Sequence, residues 1–400
     1  MTSYPHKNAS IMEFPRVNRF KPETVHLSVT GFDAIQSDKW LADIRMRAKP
    51  NIEKFGLPTS KLERWKYTNI LPKLQNMNLK YTPTAIDFKP DSWAINLMDN
   101  APRGQDSYND MMLWWANTTM MNALNVHHVQ KNETKQITQT ISASSEEYLV
   151  PRNLIKLEEG ADVILIERYA GTDAYWQNAL TQIELGKNAR LKHYKIQNHS
   201  DKSLYTHTTH INIDRDASYE SFTLNIGGGM SRDQIHADLR SENASCAVSA
   251  VNLLSRGTHQ DTTLLVEHHA PHCRSDQNVK TILADSAKGI FQGKIHVHQA
   301  AQDTDGYQLS NALLLSDRAE MNTKPELEIY ADDVRCSHGA TSGQLDETPM
   351  FYLRQRGLNE AQARKLLLEA FVGEVFETIK DDTFKAEIQK ISEDWIHTHA

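Results

Sequence analysis

Residues 189–197 read ARLKHYKIQ, residues 217–225 read ASYESFTLN, and residues 244–252 read ASCAVSAVN. Each segment begins with a small residue and continues with a short stretch in which apolar and polar residues alternate. Alternation with a period of two residues is typical of a half-buried β-strand. The segment AEMNTKPELEIYADD at residues 319–333 follows the same pattern. This weak self-similarity is what the successive coils of a β-solenoid leave in a sequence.

Strand-like segments of this kind follow one another from about residue 126 to residue 345, separated by clusters of Gly, Asn, Asp or Ser. Such a series is compatible with a sandwich, a barrel or a solenoid. Hairpin dipeptides of the Asn-Gly or Asp-Gly type are nearly absent, Asp305-Gly306 being an exception. Because antiparallel sheets usually carry such turns, a mainly β protein with a solenoid of parallel strands is favoured.

Helical patterns flank the strand-rich region. After Thr348, Asn359 and Gln362 have the spacing of a capping box. The apolar stripe that follows consists of Ala363, Leu366, Leu367, Ala370, Phe371 and Val375. We therefore predict a mainly helical N-terminal domain (1–125), a β core (126–347) and a C-terminal helical domain (348–400). Part of the C-terminal stripe is expected to cap the end of the solenoid, leaving the rest for a partner.

Composition excludes several classes of protein. The chain has 44 Lys and Arg residues against 51 Asp and Glu residues, giving a net charge of −7 without a basic stripe, which argues against nucleic acid as a partner. No apolar run is long enough for a transmembrane helix. The three cysteines, Cys246, Cys273 and Cys336, are too scattered for a disulfide framework and fit a reducing cytoplasm.

The candidate site is the segment Cys336-Ser337-His338. Residues i and i+2 of a strand point to the same face, so the thiol and the imidazole would lie side by side. That pair suits a soft metal, and a protonated imidazole would favour the thiolate. Spacing alone nevertheless favours two structural residues, because a zinc site normally shows three or four protein ligands.

Two other groups of potential ligands are interpreted as structural. His268, His269, His272 and Cys273 lie in the segment HHAPHC, where Pro271 prevents a continuous helix. Exposed histidines at the end of a strand are favoured over metal binding there and at His296-Val297-His298. The glycine-rich segment IGGGMSRDQ (226–234) lacks the Gly-Lys-Ser/Thr of a phosphate-binding loop, so ATP hydrolysis is not expected.

The block ADDVRCSHGATSGQLDE (331–347), followed by MFYLRQRGLNEAQARKLLLEAFVGEVFETI (350–379), resembles the C-terminal signature of the SufB/SufD family of iron–sulfur cluster assembly subunits. Further matches are LPTSKLERWKYT (57–68) and two segments at residues 227–244 and 259–297. The Cys-Ser-His-Gly-Ala-Thr block is similar to the SufD side of the family, since SufB carries an acidic sequence there.

The resemblance implies a right-handed parallel β-helix between two helical regions. It implies a non-catalytic scaffold that pairs with a SufB-like paralogue through the β-helices and forms a homodimer when alone. The C-terminal helices, through Leu366, Leu367, Phe371 and Val375, are expected to bind a SufC-like ABC ATPase. A transient iron–sulfur cluster is expected to form at the interface between the paralogues, with His338 as an iron ligand and Cys336 close by. No cofactor is expected to stay bound to the isolated chain.

Two alternatives compete with this scaffold. One is a stand-alone β-helix metalloenzyme that uses the Cys/His-rich segments. The other is a carbohydrate-active enzyme, by analogy of fold alone. The latter needs clustered carboxylates, whereas Asp332 and Asp333 are expected to point to opposite faces of a strand.

Overall fold

The computed structural model describes residues 38–82, 86, 88–99 and 112–399. The predicted helical domain at residues 1–125 thus lies partly outside the described residues. Within them, its helices are α1 (Lys39–Phe55), α2 (Leu71–Gln75), α3 (Ser92–Asp99) and α4 (Met112–Met120), with a 3₁₀ turn at Glu63–Trp65.

Strands occupy the middle of the chain. They are β1 (Ala123–Val129), β2 (Thr134–Ala143), β3 (Tyr148–Leu149), β4 (Pro151–Leu157), β5 (Asp162–Gly171), β6 (Trp176–Leu185), β7 (Arg190–His199), β8 (Leu204–Ile213), β9 (Ser218–Gly227), β10 (Met230–Leu239), β11 (Ser245–Leu254), β12 (His259–His268), β13 (Arg274–Leu283), β14 (Lys288–Val297), β15 (Thr304–Leu314), β16 (Glu320–Ile329) and β17 (Val334–Gly343).

These strands form two parallel sheets through which the chain passes alternately. Nine strands follow the order β1-β4-β6-β8-β10-β12-β14-β16, with β3 beside β6, and eight follow the order β17-β15-β13-β11-β9-β7-β5-β2. Every strand therefore pairs with strands from neighbouring coils. The prediction of a parallel β-solenoid flanked by helices is confirmed.

Equivalent residues of successive coils stack inside the solenoid. Leu157 is aligned with Leu185, which is aligned with Ile213, and all three are completely buried. Thr206 donates a hydrogen bond to the Asn178 side chain one coil earlier, 28 residues back in the sequence. Burying one aliphatic side chain contributes about 1.5–3 kcal/mol, so columns of this kind stabilise the coil-to-coil register.

Left-handed residues, mainly Asn and Asp, form many of the corners between strands. Non-glycine residues with φ between 53° and 60° include Asn132, Asn188, Asp216, Asn243, Asp285 and Asp303. Short polar side chains tolerate this conformation better than other residues. A single such residue turns the chain into the other sheet, which is why two-residue hairpin signals are scarce. Asp305 and Gly306 are not a hairpin turn, because both lie within β15.

The N-terminal helices cover the outer face of the nine-stranded sheet. Ile44 of α1 and Leu97 of α3 pack on Leu154 of β4, whereas Trp114 and Trp115 of α4 pack near Leu180 of β6. Both faces of these strands are therefore largely buried.

The C-terminal helices are α5 (Glu347–Gln355), α6 (Glu360–Phe376) and α7 (Asp382–His399). The predicted capping box is present: Asn359 accepts from the backbone of Gln362, whose side chain accepts from the backbone of Asn359. Helix α7 lies on the outer face of the eight-stranded sheet, where Phe384 stacks on Tyr194 with ring centroids 5.0 Å apart.

The expectation that these helices cap the solenoid is wrong. Val372 and Phe376 of α6 pack against Phe222 of β9 and Val251 of β11, in the middle of the eight-stranded sheet. The outward-facing residues of those strands are apolar, and the helices bury them. The last coil, made by β16 and β17, keeps both of its sheet edges free of further strands in the described chain.

Candidate functional site

Cys336 and His338 lie on β17, the terminal strand of the eight-stranded sheet. Parallel pairing aligns Cys336 with Gly306 and His338 with Gln308 on β15. Gly306 and Gln308 are both buried, whereas their neighbour Tyr307 is exposed. Cys336 and His338 therefore share the inward-directed face of the strand, at the coil where the interior opens to solvent.

Cys336 is half-buried. It packs near Ile295 and Val297 of β14, and a Cβ built at Gly306 would lie 3.3 Å from its Sγ. Gly306 thus leaves the room that the thiol occupies. Burial raises the pKa of the Cys336 thiol, and the negative charge of Asp305 acts in the same direction. The expectation of a favoured thiolate is wrong for the isolated chain, in which Cys336 is a protonated thiol at neutral pH.

His338 is exposed. On the next strands of the sheet, the side-chain amides of Gln308 and Gln277 form a column aligned with it. The side-chain amide of Gln308 donates to Gln277 of β13 across 3.3 Å. Gly293 of β14 accommodates this column, since a methyl group there would collide with the Gln308 amide. The imidazole of His338 is therefore accessible to a partner molecule. The neighbouring strand β15 is held in place by the hydrogen bond from Gln308 to Gln277.

The pair offers only two metal donors. Among the described residues, the groups of three or more metal-capable side chains lie elsewhere and contain neither Cys336 nor His338. A thiol and an imidazole are suitable ligands for iron, but four ligands are usual for a cluster. Chemically, this site can supply two ligands of a coordination sphere, which is fewer than a cluster usually needs.

Large apolar side chains are exposed around the last coil. Tyr307 of β15, Ile329 of β16 and Tyr330 directly after it have exposed fractions of 40%, 39% and 58%. Pro325 lies in the middle of β16, a position that a terminal strand tolerates because it lacks one row of partners. The free edges and these side chains form a continuous surface beside Cys336 and His338. We call it the terminal-coil surface.

The predicted partner-binding stripe divides between core and surface. Leu366 is 44% exposed, and Leu367 and Phe371 are partly exposed. Val375 is completely buried in the core between α6 and the sheet, so it cannot contact a partner directly. We correct its assignment accordingly: three residues of the stripe are accessible, and Val375 holds the helix in place.

Helix α5 has no buried residue. Asp346 caps it by accepting from the backbone of Thr348, yet Phe351 and Tyr352 are exposed. A cleft of about 500 Å³ separates this helix from the end of the sheet, and its lining includes Leu315, Met350 and Phe351. Nine-residue helices are marginal without tertiary packing, so α5 is suited to being covered by another molecule.

Sequence reasoning missed an ionic network inside the solenoid. Glu167 and His193 lie 2.6 Å apart, and Lys195 lies 3.1 Å from Asp233, all with at most 3% of the side chain exposed. Burial would raise the pKa of Glu167, but the charges of His193, His207 and Lys195 lower it to about 2. Alternation in ARLKHYKIQ places His193 and Lys195 on the same face as the apolar Leu191. This pattern was the signal in the sequence that ionisable groups lie inside the solenoid.

The cysteine of the HHAPHC segment is structural. Cys273 is buried, and burial raises the pKa of its thiol to about 11. Its sulfur donates to the backbone oxygen of Ser241, 3.2 Å away. His268 is also buried, contrary to the expectation of exposed histidines, whereas His272 is exposed as expected.

The family model for the SUF system FeS cluster assembly SufBD core domain matches residues 139–371. This match covers more than half of the chain and includes the strands from β5 to β17. The chain belongs to the SufB/SufD family. Iron–sulfur cluster assembly is therefore the process in which it takes part, as the C-terminal signature implied.

Individual relatives agree with this family. The chain is 30% identical over 374 residues to the iron–sulfur cluster assembly protein SufD of Escherichia coli (strain K12), covering 83% of this chain and 88% of that protein. It is 38% identical over 239 residues to a SufBD family protein of Synechocystis, covering 57% of this chain and 53% of the relative. The chloroplastic protein ABCI7 of Arabidopsis thaliana is 33% identical over 233 residues, covering 57% and 49%.

Membrane insertion by a helix finds no support in the described part of the chain. None of its helices combines the length and the apolar character needed to cross a bilayer.

Proposed function

We propose that this chain is the SufD-type scaffold subunit of a SufB–SufC–SufD-type complex, in which it pairs with a SufB-like paralogue and does not itself catalyse a reaction. The nascent iron–sulfur cluster would be the product held between the two subunits, and ATP hydrolysis would occur in a SufC-like partner. One observation carries the proposal: Cys336 and His338 lie together on the terminal strand of the solenoid, whose outer edge no other strand of the described residues covers. We place the complex in the cytoplasm, where three free cysteines persist.

The terminal-coil surface supports pairing between solenoids. Free backbone donors and acceptors of β17 can hydrogen-bond another strand, and Ile329 and Tyr330 add apolar area beside them. A paralogue with the same architecture would continue both sheets. The thiol and imidazole would then be enclosed between the chains, where a second set of ligands can reach the metal.

Two donors from this chain suit a cluster that must be passed on. His338 would bind iron through a neutral imidazole nitrogen. Cys336 would bind or assist after losing its proton, which metal binding promotes because iron competes with the proton for the sulfur. With so few ligands, the isolated chain would not retain the cluster.

ATPase docking is assigned to α5 and α6. The exposed side chains of Phe351 and Tyr352 lie on α5, which has no buried residue, and the exposed side chain of Leu366 lies on α6, which other residues anchor to the sheet. Arg168 of β5 holds α7 through Glu387, with Arg168 Nε 3.1 Å from the carboxylate. Leu366→Asp should weaken ATPase binding without unfolding the chain, whereas Ala361→Asp, at an exposed position of the same helix, should leave binding unchanged.

Reconstitution tests the cluster site. The complex is assembled with the paralogue and the ATPase, supplied with ferrous iron and sulfide, and assayed for bound iron and sulfide. His338→Ala should preserve assembly but reduce cluster yield severely, and Cys336→Ser should reduce it less. Ser337→Ala, on the opposite face of β17, is the matched control and should retain full yield. Full yield from the His338→Ala complex would reject the assignment.

Pairing is tested separately by co-elution. Ile329→Asp should weaken the complex with the SufB-like subunit because it places a charge in the terminal-coil surface, while the variant chain remains folded. Asp317→Lys, in the turn between β15 and β16, provides a charge-changing control. Undiminished co-elution of the Ile329→Asp chain would contradict the proposed interface.

A further inference from the structure

A second group of potential metal ligands lies on the nine-stranded sheet and includes neither Cys336 nor His338. Glu267 of β12 is aligned with His296 of β14, and His298 follows β14 directly. The ligand atoms of these three side chains all lie within 4.8 Å of one another. His269 and Asp238 form a second such group with the same Glu267.

We propose that Glu267, His296 and His298 form a binding site for one divalent first-row transition-metal ion, such as Zn²⁺. The site belongs to the isolated chain and is independent of the proposed cluster site. It adds a resident ion and no catalytic activity.

Distances in the group fit a metal ion. An Oε atom of Glu267 lies 3.1 Å from Nδ1 of His296 and 3.7 Å from Nε2 of His298. With metal–ligand bonds of about 2.0–2.2 Å, the ligand atoms of a tetrahedral ion are separated by about 3.4 Å. An ion can therefore enter with small side-chain movements. Two imidazoles and a carboxylate are also a usual catalytic or transport set for zinc, with the fourth position open.

The imidazole of His298 has an unused nitrogen in this arrangement. Its Nε2 is buried and has no hydrogen-bond partner among the described residues, although it lies 3.7 Å from the Glu267 carboxylate. A buried polar atom without a partner destabilises the folded chain, and a bound cation would remove that cost.

The three neighbouring imidazoles stack on one another. His298 stacks between His269 and His296, with ring centroids 4.3 and 4.2 Å apart. This stack holds the His298 ring with its Nε2 3.7 Å from the Glu267 carboxylate, where a shared metal ion can reach both.

Asp238 lies beside the proposed site and contacts His269, one of the stacked imidazoles. Its carboxylate accepts from His210 at 3.0 Å, and lies 3.3 Å from His269 and from Arg240. These partners occupy Asp238, which makes it a weaker candidate for direct binding than Glu267. On the opposite side, Tyr330 packs edge-on against His296 with centroids 5.6 Å apart. The proposed ion therefore lies next to the terminal-coil surface.

The test is metal binding to the full chain after treatment with a chelator. Zn²⁺ titration by calorimetry should give one equivalent per chain, and Co²⁺ should give the visible absorption of a low-coordinate site. His298→Ala and the isosteric Glu267→Gln should each weaken Zn²⁺ binding at least tenfold, with an unchanged circular dichroism spectrum.

His397→Ala, at an exposed position of α7, and His338→Ala should bind Zn²⁺ as the unmodified chain does. Equal affinity in the His298→Ala and Glu267→Gln chains would overturn the proposal. Loss of binding in His338→Ala would also overturn it, because the ion would then occupy the terminal strand. Cluster assembly is not measured, so failure here leaves the proposed scaffold function intact.

Discussion

The guanidinium of Arg232 lies 3.9 Å from the centre of the Trp65 ring, and both side chains are completely buried. Arg232 is also paired with the buried carboxylate of Asp261. The hydroxyl of Thr68 donates to that carboxylate across 2.5 Å. The segment LPTSKLERWKYT is therefore bound to strands β10 and β12 by one buried charge pair, an aromatic ring and a hydroxyl.

Trp65→Ala should release this segment from the sheet. Large-to-small substitution of a buried aromatic residue typically costs about 3–5 kcal/mol, and here it also removes the ring above the Arg232 cation. Limited proteolysis should show faster cleavage between residues 56 and 80, with the strands still protected. Lys66→Ala, at an exposed position, is the control. Equal cleavage rates in the two variants would contradict the anchoring role.

Glu167→Gln should destabilise the solenoid in a pH-dependent way. The pKa of Glu167 is about 2 in the folded chain and near 4.5 when unfolded, so its contribution is full above pH 4.5 and is lost as the pH falls towards 2. Breaking a buried ion pair costs about 3–5 kcal/mol at neutral pH. Urea unfolding from pH 7 to pH 3 should show the deficit shrinking below pH 4.5.

The exposed Glu159 is the matched control for that experiment. It pairs with Lys131 in solvent, and Glu159→Gln should change the free energy of unfolding very little. A Glu167→Gln deficit that is the same at pH 7 and pH 3 would show that the carboxylate acts through packing rather than charge.

His199 should contribute a second acid-sensitive range. Burial, with His207 nearby, lowers the pKa of His199 to about 3, and Tyr205 stacks on it with centroids 4.1 Å apart. A pKa below the unfolded value of about 6.5 means that stability is lost as the pH falls from 6.5 towards 3. His199→Gln should therefore flatten the decline in melting temperature between pH 6.5 and pH 5. An unchanged slope would contradict this.

The corners of the solenoid offer a stabilising change. Arg256 is exposed and left-handed, with φ of 56°, a conformation better suited to Asn. Arg256→Asn should raise the free energy of unfolding by about 0.5–1 kcal/mol, and Asn188→Ala should lower it by a similar amount. Urea midpoints measure both. A lower free energy of unfolding for Arg256→Asn would mean that the contacts of the Arg256 side chain stabilise the fold more than the relief of backbone strain does.

The alternation of apolar and polar residues was sufficient to predict strands, and the scarcity of hairpin dipeptides was sufficient to favour parallel pairing. These patterns were insufficient to place the helices. The C-terminal stripe indicated an apolar helix face but not which surface would cover it. Tyr194, Ile196 and Phe222 point away from the interior and are apolar, so both faces of those strands are buried. Reading both faces would have indicated a covered sheet.

The candidate site was predictable only in part. Spacing placed Cys336 and His338 on one face, since that follows from strand geometry alone. The protonation state of the thiol depends on the space left by Gly306 and on burial by β14, neither of which is local in sequence. Likewise, Glu267, His296 and His298 are brought together by the register of β12 with β14. Local patterns do not reveal that register.

In the proposed pairing, the relative concentrations of the subunits determine which partner binds the last coil of the solenoid. The main-chain groups of β17 are those of any strand, so under the proposed pairing a second copy of this chain would compete with a paralogue for the same edge. Two copies joined there would place Cys336 and His338 opposite their own counterparts. Excess synthesis of this subunit would then remove assembly sites instead of adding them, and balanced stoichiometry between the subunits becomes a condition for output.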